Sequence, residues 1–441
     1  MPSNQLSRKD FIRNSSLLLA SSSMFPGRSF IQAKDERQKE RSTYTLKNVR
    51  LETGFIYDDD NNITATKTAL FSLKIEDGKI AAIHENRNIP GAIDAKGYLM
   101  LPAFKDMHIH LDKTFYGGPW RAKSPKNRSV KDMIAFEQQN LPEMLKTSTE
   151  KAERIIELLQ SKGSYFARSH VNIEPTSKLQ SLKNLQEALE NKKNSFGAEL
   201  VAFPQHGIYY TESAPIMKDA AQMGIDYIGG LDPNAIDGSV EKSLDFIVQL
   251  AVDYNKGIDI HLHEGGQGGL RAVEYLIEKV LENPVLKDKT YLSHCFVLAS
   301  LEKTQQEAIA EQLAAAGIGI VSTIPFGRTI MPIPTLYKHG VKVSTGNDSI
   351  IDHWNTFGTG SVLQKANLMA QLYGYSSELN LSRALRIATG DILPLDQNGQ
   401  QQWPKVHDAA NVVLLDASCS AEAVARVPGI KSLIHQGRVI Y

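Results

Sequence analysis

His108 and His110 stand one residue apart in KDMHIHLDKTF (residues 105–115), at the end of an apolar run. Alternate residues of a strand share a face, so the two imidazoles are placed to converge on a single ion. An isolated His-x-His is more often a pair of ordinary surface or core histidines, and the rest of the chain has to decide. Polar groups of the right type recur at the ends of other apolar runs: His261 in DIHLHE, His294 in LSHCF and Asp348 in STGND. Imidazole nitrogens with a carboxylate oxygen suit a borderline divalent metal such as Zn2+ or Fe2+.

These residues can meet only if the runs carrying them are neighbours. Eight runs, LMLPAFKDMHI, YFARSHVNI, AELVAFPQHGI, DYIGGLDP, GIDIHLHE, TYLSHCF, GIGIVSTIP and GVKVSTGND, are separated by helix-like segments such as SVKDMIAFEQQNLPEMLK and SVEKSLDFIVQLAVDYNK. Strands alternating with helices imply parallel βα units, and eight of them close a barrel whose reactive groups stand at the strand C-termini. The predicted fold is therefore α/β, a (β/α)8 TIM barrel. A doubly wound open sheet is the alternative, but no Gly-rich phosphate fingerprint follows the first strand. Short strands run from Tyr44 to Leu101, with an Asp77-Gly78 hairpin signal, and the same character returns in ANVVLLDAS and SLIHQGRVIY. The expected organisation is a composite β-sandwich from residues 43–98 together with 405–441, around a barrel spanning 99–404.

The first 42 residues differ from the rest. Ser7 to Phe25 places Arg8, Lys9 and Arg13 before a modest apolar stretch, the layout of an export signal. It resembles a twin-arginine signal with Lys9 in place of the second arginine, followed by a charged linker from Ala33 to Ser42. A periplasmic or exported location is expected, with the cytoplasm as the alternative. No other segment is apolar for long enough to span a bilayer, so no membrane association is expected after signal processing. Lys plus Arg and Asp plus Glu both number 49, a balance that excludes a global field for nucleic acid and leaves a small molecule as the expected partner. Homo-oligomers are compatible with this sequence. Cys295 and Cys419 are far apart and in no metal-like spacing, so they read as packing residues.

The His-x-His of the first run, the histidines of the fifth and sixth and the aspartate of the eighth resemble the metal signature of the amidohydrolase superfamily. Within it, HIHLDKTF, FPQHGI, HLHE, SHC and GNDSIIDHWNTFGTG resemble, in order, the cytosine deaminase group, over about Leu46 to Tyr441. The resemblance implies one divalent ion held by His108, His110, His261 and Asp348, lowering the pKa of a bound water to give a hydroxide nucleophile. Asp348 would accept that water's proton and Glu264 would shuttle protons to the ring nitrogen and leaving amine. His294 would either orient the hydroxide or coordinate the ion.

Gln205 in FPQHG matches a glutamine that bonds a pyrimidine edge, against the bland reading of a loop-tip amide in water, and Trp354 in DHW would wall the pocket. Binuclear members bridge their ions with a lysine after the fourth strand, and DYIGGLDPN contains none, so a single ion is expected. Ser349 stands where cytosine deaminases carry a second aspartate, which points to a ring other than cytosine. The expected activity is hydrolytic deamination of an amino-substituted nitrogen heterocycle. Hydrolysis of a cyclic amide or N-alkyl amine is the nearest alternative, and a catalytically inactive heterocycle-binding barrel is the alternative from another class. Blander expectations complete the reading. His170 satisfies a hydrogen bond at the barrel mouth, Asp112 and Lys113 brace the imidazoles or pair with each other, and the charged residues of Ser129 to Leu159 form a solvated face. Cys295 points into packing, and His206 and Asn347 line the cavity.

Overall fold

Asp77 and Gly78 adopt φ angles of 48° and 76°, the left-handed pair that a two-residue hairpin turn requires. They fold β2 (Ile63–Glu76) back onto β3 (Lys79–Glu85). The structure, a computed structural model, describes residues 43–122, 129–327 and 329–441. The signal-like segment and its charged linker lie outside the described residues. The hairpin belongs to a mixed sheet of eight strands drawn from both chain ends. Its other members are β1 (Thr43–Tyr57), β4 (Ile93–Asp94), β5 (Leu99–Pro102), β14 (Val412–Leu415), β15 (Ile430–His435) and β16 (Arg438–Val439). The order is β16-β15-β14-β5-β1-β2-β3, with β4 also on β1. This small β-sandwich has its own core, with Leu46, Leu73, Met100, Trp403, Val412 and Ile434.

The other sheet contains eight parallel strands paired in sequence order, each corresponding to one apolar run. They are β6 (Phe104–Ile109), β7 (Ser164–Asn172), β8 (Gly197–Phe203), β9 (Tyr227–Leu231), β10 (Gly257–His261), β11 (Thr290–Ser293), β12 (Ile318–Ser322) and β13 (Val343–Thr345). β10 and β12 are buried at every position, as expected of strands with the barrel interior on one side and helices on the other. The first and last strands meet at a parallel bridge between Ile109 and Asp348, where the Asp348 N–H donates to the His108 carbonyl at 2.7 Å. The ring thus closes through residues of the expected metal site. Ser129 begins α1 (Val130–Leu145) by a reciprocal capping box with Asp132. α2 (Ser148–Ser161) follows and lays Ile155, Ile156 and Leu159 into the barrel's large core.

Two features depart from the sequence reading. LMLPAFKDMHI is two strands: β5 pairs antiparallel with β14 in the sandwich, and β6 begins the barrel after Ala103. Both halves are buried, with Leu99 and Leu101 of β5 in the same large core as Phe104 and Ile109 of β6 and Met100 in the sandwich core, so apolar periodicity carries no mark of the change. Consequently the sandwich joins the barrel at the strand N-termini. A cleft of about 630 Å3 at this junction, lined in part by Arg383, Arg386 and Trp403, is remote from the strand C-termini. The second departure is α1, whose charged residues do not all face solvent, because Glu137 is 1% exposed. Among the described residues, no helix is long and apolar enough to cross a membrane.

Candidate active site

Alternation along β6 turns His108 and His110 into the barrel mouth, where both are buried. Each is held in one tautomer by a partner that accepts. Ser293 Oγ gives its hydrogen to Asp259 Oδ1 (2.7 Å) and therefore accepts from His108 Nδ1 (2.8 Å). The His170 carbonyl accepts from His110 Nδ1 (3.2 Å). Both rings thereby present an Nε2 lone pair to the site. His261, ending β10, brings its Nε2 to 3.3 Å from that of His110. Phe203 supports His261 by stacking, with centroids 4.0 Å apart and planes 17° apart.

Asp348 completes the group, its Oδ1 lying 3.4 Å from His108 Nε2 and 3.3 Å from His110 Nε2. Donor atoms of His108, His110, His261 and Asp348 all lie within 4.8 Å of one another. Burial pushes His110 down to about 4 and holds His261 well below its ordinary value, helped by the surrounding histidines. They are neutral lone-pair donors at neutral pH. Burial alone would raise Asp348, but the close approach of the His108, His110 and His294 imidazoles holds it well below the usual carboxylate range. His108 Nε2 is buried with no hydrogen-bond partner. Imidazole nitrogens around one ionised carboxylate, one of them otherwise orphaned, fit a divalent cation.

His294 follows β11 and lies outside this compact set, with its Nε2 4.0 Å from Asp348 Oδ2. His294 and Asp348 have φ of 67° and 63°, a left-handed conformation that costs a non-glycine residue about 1–3 kcal/mol. The strain falls on two of the residues that complete the site. Glu264 is held at the rim by Asp232, which follows β9 and accepts the N–H groups of His263 (2.6 Å) and Glu264 (3.0 Å). Asp232 Oδ2 also accepts from His263 Nδ1 at 3.0 Å. The Glu264 carboxylate accepts the N–H groups of Asn234 and Ala235, both at 2.9 Å. Its pKa is raised, chiefly by burial.

Gln205 is 6% exposed and does not sit as a loop-tip amide in water. Its Oε1 accepts from Lys113 Nζ. Trp354 packs on Ile134, Phe203, Leu231 and Ile236 and donates Nε1–H to Glu137 Oε2. Lys113 also pairs with Glu137 at 3.3 Å, whereas Asp112 Oδ2 accepts the Asn172 N–H at 2.9 Å. His170 differs from its expected role: both its ring nitrogens are buried without a hydrogen-bond partner, and its centroid lies 4.2 Å from that of His108. It packs beneath the donor set. His206 lies at ion-pair distance from Glu174 (3.2 Å) and Glu137 (3.7 Å), and Asn347 Nδ2 donates to Asp106 Oδ2 (2.6 Å). Cys295 is in the barrel core.

The sequence reading passed over Asp259, Ser293, Arg168, Phe203, Asp232, His263 and Glu137. Arg168 is fully buried, donating to Glu199 Oε2 (2.9 Å), Asp259 Oδ2 (3.0 Å) and the Tyr227 hydroxyl (2.9 Å). A chain of contacts therefore runs from Arg168 through Asp259 and Ser293 to His108. A signal for it existed, since Asp259 and Arg168 precede His261 and His170 by two residues and share their inward faces.

A closed parallel barrel whose strand ends gather three histidines and an aspartate defines the class, a metal-dependent hydrolase barrel. The chain belongs to the amidohydrolase family, whose model matches residues 133–441. It is 47% identical to the uncharacterized protein YahJ of Escherichia coli (strain K12), over 99% of this chain and 98% of that protein. N-isopropylammelide isopropylaminohydrolase from Burkholderia multivorans ATCC 17616 superposes with a TM-score of 0.78 at 26% identity, covering 91% of this chain and 98% of that one. The 5-methylcytosine deaminase from Klebsiella pneumoniae, liganded with phosphonocytosine, gives 0.74 at 25% identity, covering 90% and 98%. These relationships place the chain in the cytosine deaminase-like group of the superfamily, as a hydrolase of carbon–nitrogen bonds other than peptide bonds.

Proposed function

We propose that this chain releases ammonia or an amine from an amino- or alkylamino-substituted nitrogen heterocycle, using one Zn2+ or Fe2+ held by His108, His110, His261 and Asp348. The observation that carries the reading is the division of Asp348: Oδ1 faces His108 and His110, whereas Oδ2 faces His294 Nε2 at 4.0 Å. When bound, the ion would supply an acidified water and polarise the ring. Asp348 Oδ2 would take up the proton of the attacking water, and His294 Nε2 would orient the water oxygen beside it. A C–O bond forms at the ring carbon bearing the amino group. Glu264, whose carboxyl is raised by burial, delivers a proton to the departing nitrogen as the C–N bond breaks.

Gln205 Nε2 and the face of Trp354 are the proposed recognition groups. N-isopropylammelide and 5-methylcytosine, the compounds that the relatives' names record, are both amino-substituted rings. Ser349 offers a hydroxyl where cytosine deaminases carry a carboxylate, which favours a ring other than cytosine. The test is release of ammonia or amine from amino- and alkylamino-substituted pyrimidines, purines, triazines and pterins, with zinc- or iron-loaded protein and a chelated control. Metal-dependent release from one ring class is expected, and silence across the panel with metal bound sinks the reading. Glu264→Gln should keep its metal and lose about 10^2–10^4 in turnover, whereas His108→Ala should lose metal. Normal turnover in the first variant would remove Glu264 from the chemistry.

A further inference from the structure

We infer that Glu137 is a positioning residue that fixes the substrate-facing wall of the barrel mouth. It lies on α1, in the connection between β6 and β7, yet its side chain is 1% exposed. Side chains that follow or end four different barrel strands converge on it. Lys113 Nζ, after β6, approaches both carboxylate oxygens (3.3 and 3.4 Å). Asn172 Nδ2, at the end of β7, donates at 2.6 Å, and His206 Nε2, after β8, lies 3.7 Å away. Trp354 Nε1, after β13, donates to Oε2. Lys113 extends the group to Gln205 Oε1, and its Nζ lies 5.7 Å from the centre of the Trp354 ring.

A buried carboxylate must have its oxygens filled. Here the groups that fill them belong to the mouth, so satisfying Glu137 also restricts the rotamers of Lys113, Asn172 and Trp354. The same face of α1 carries Ile134, which packs with Trp354 and Phe203. The groups that meet the Glu137 carboxylate, from Lys113, Asn172, Trp354 and His206, all lie outside the metal-donor set. Glu137 accordingly governs how the substrate is held, and leaves the ion and the proton transfers to other residues. This inference rests on the heterocycle reading above for its kinetic arm, and a spectroscopic arm stands apart from it.

Glu137→Gln keeps the shape but removes the charge and one acceptor. The test measures metal content, steady-state kinetics on the ring that the substrate panel identifies, and the indole N–H resonances of Trp120, Trp354 and Trp403. The resonance that vanishes in Trp354→Phe identifies Trp354. Expected are full metal content, KM raised about 10–100-fold with kcat changed only a few-fold, and a Trp354 N–H resonance that moves and exchanges faster with solvent. An unmoved resonance, an unchanged KM or lost metal would overturn the inference. Should the variant not accumulate folded, Trp354→Phe and Asn172→Ala each remove one donor while leaving Lys113 in place. Each should raise KM, with a combined effect short of their product, and independent effects would overturn the inference. If wild-type protein turns over no ring, the heterocycle reading fails, and the Trp354 resonance still decides whether Glu137 holds the wall.

Discussion

Ser293 is the smallest part of the candidate site and one of the most consequential. Its hydroxyl donates to Asp259 and accepts from His108 Nδ1, so it determines which His108 nitrogen is free to bind. Ser293→Ala leaves that N–H without its acceptor, and metal affinity should fall about 10–100-fold. Chelator competition measures this, and an unchanged affinity would show that other contacts set the tautomer. The histidines themselves were legible in the sequence, because few residue types bind a divalent ion and these stand at strand ends. Ser293 was not, since a serine before a histidine has no distinguishing pattern until a neighbouring strand supplies the carboxylate. Glu264 was legible by resemblance, but its anchoring to the Asn234 and Ala235 amides depends on the turn after β9.

Among the elements, the seam between β13 and β6 has the least tolerance. β13 has only three residues, and Gly346 follows it where a Cβ would come within 2.3 Å of the His108 carbonyl oxygen and 2.4 Å of its nitrogen. No side chain fits such an approach between backbones. Gly346→Ala should push Asp348 away from His108 and His110, lowering metal content and turnover together. Full metal occupancy in that variant would show that the seam can relax. Eight strands were countable in the sequence because each run is apolar and bounded by helical patterning. The switch of LMLPAFKDMHI between sheets was not visible, nor was the packing of one face of α1 against the strand ends. Its one hint was Glu137 on the face shared by Ile134 and Leu141.

Across the whole molecule, buried charge ties α1 to the strand ends and makes stability depend on pH. Burial would raise Glu174, but its ion pair with His206 holds it below the usual carboxylate range. His206 is held above its ordinary value by Glu137 and Glu174, against burial. The Glu174 contribution is complete above an unfolded pKa of about 4.3 and fades as pH falls through its lowered folded value. The His206 contribution is complete below about 6.5 and fades as pH rises through its raised folded value. Their sum is therefore largest between about pH 4.3 and 6.5. The stability gap between wild type and Glu174→Gln, read by denaturant unfolding, should narrow as pH is lowered from about 6 to about 3. A constant gap would remove this network from the pH response.

The sequence by itself determined the barrel, the sandwich contributed by both chain ends, and the residue types available for a metal-dependent hydrolase. Periodicity and side-chain chemistry are local properties, and they survive being read one residue at a time. Only the tertiary structure decided that Ser293 orients His108, that Glu137 is buried among mouth residues, and that the barrel closes through Asp348. Each of these depends on groups far apart in the chain, such as Glu137 and Trp354. A hydrogen bond between such groups is specified by the placement of two strands or helices, which no single stretch of sequence records.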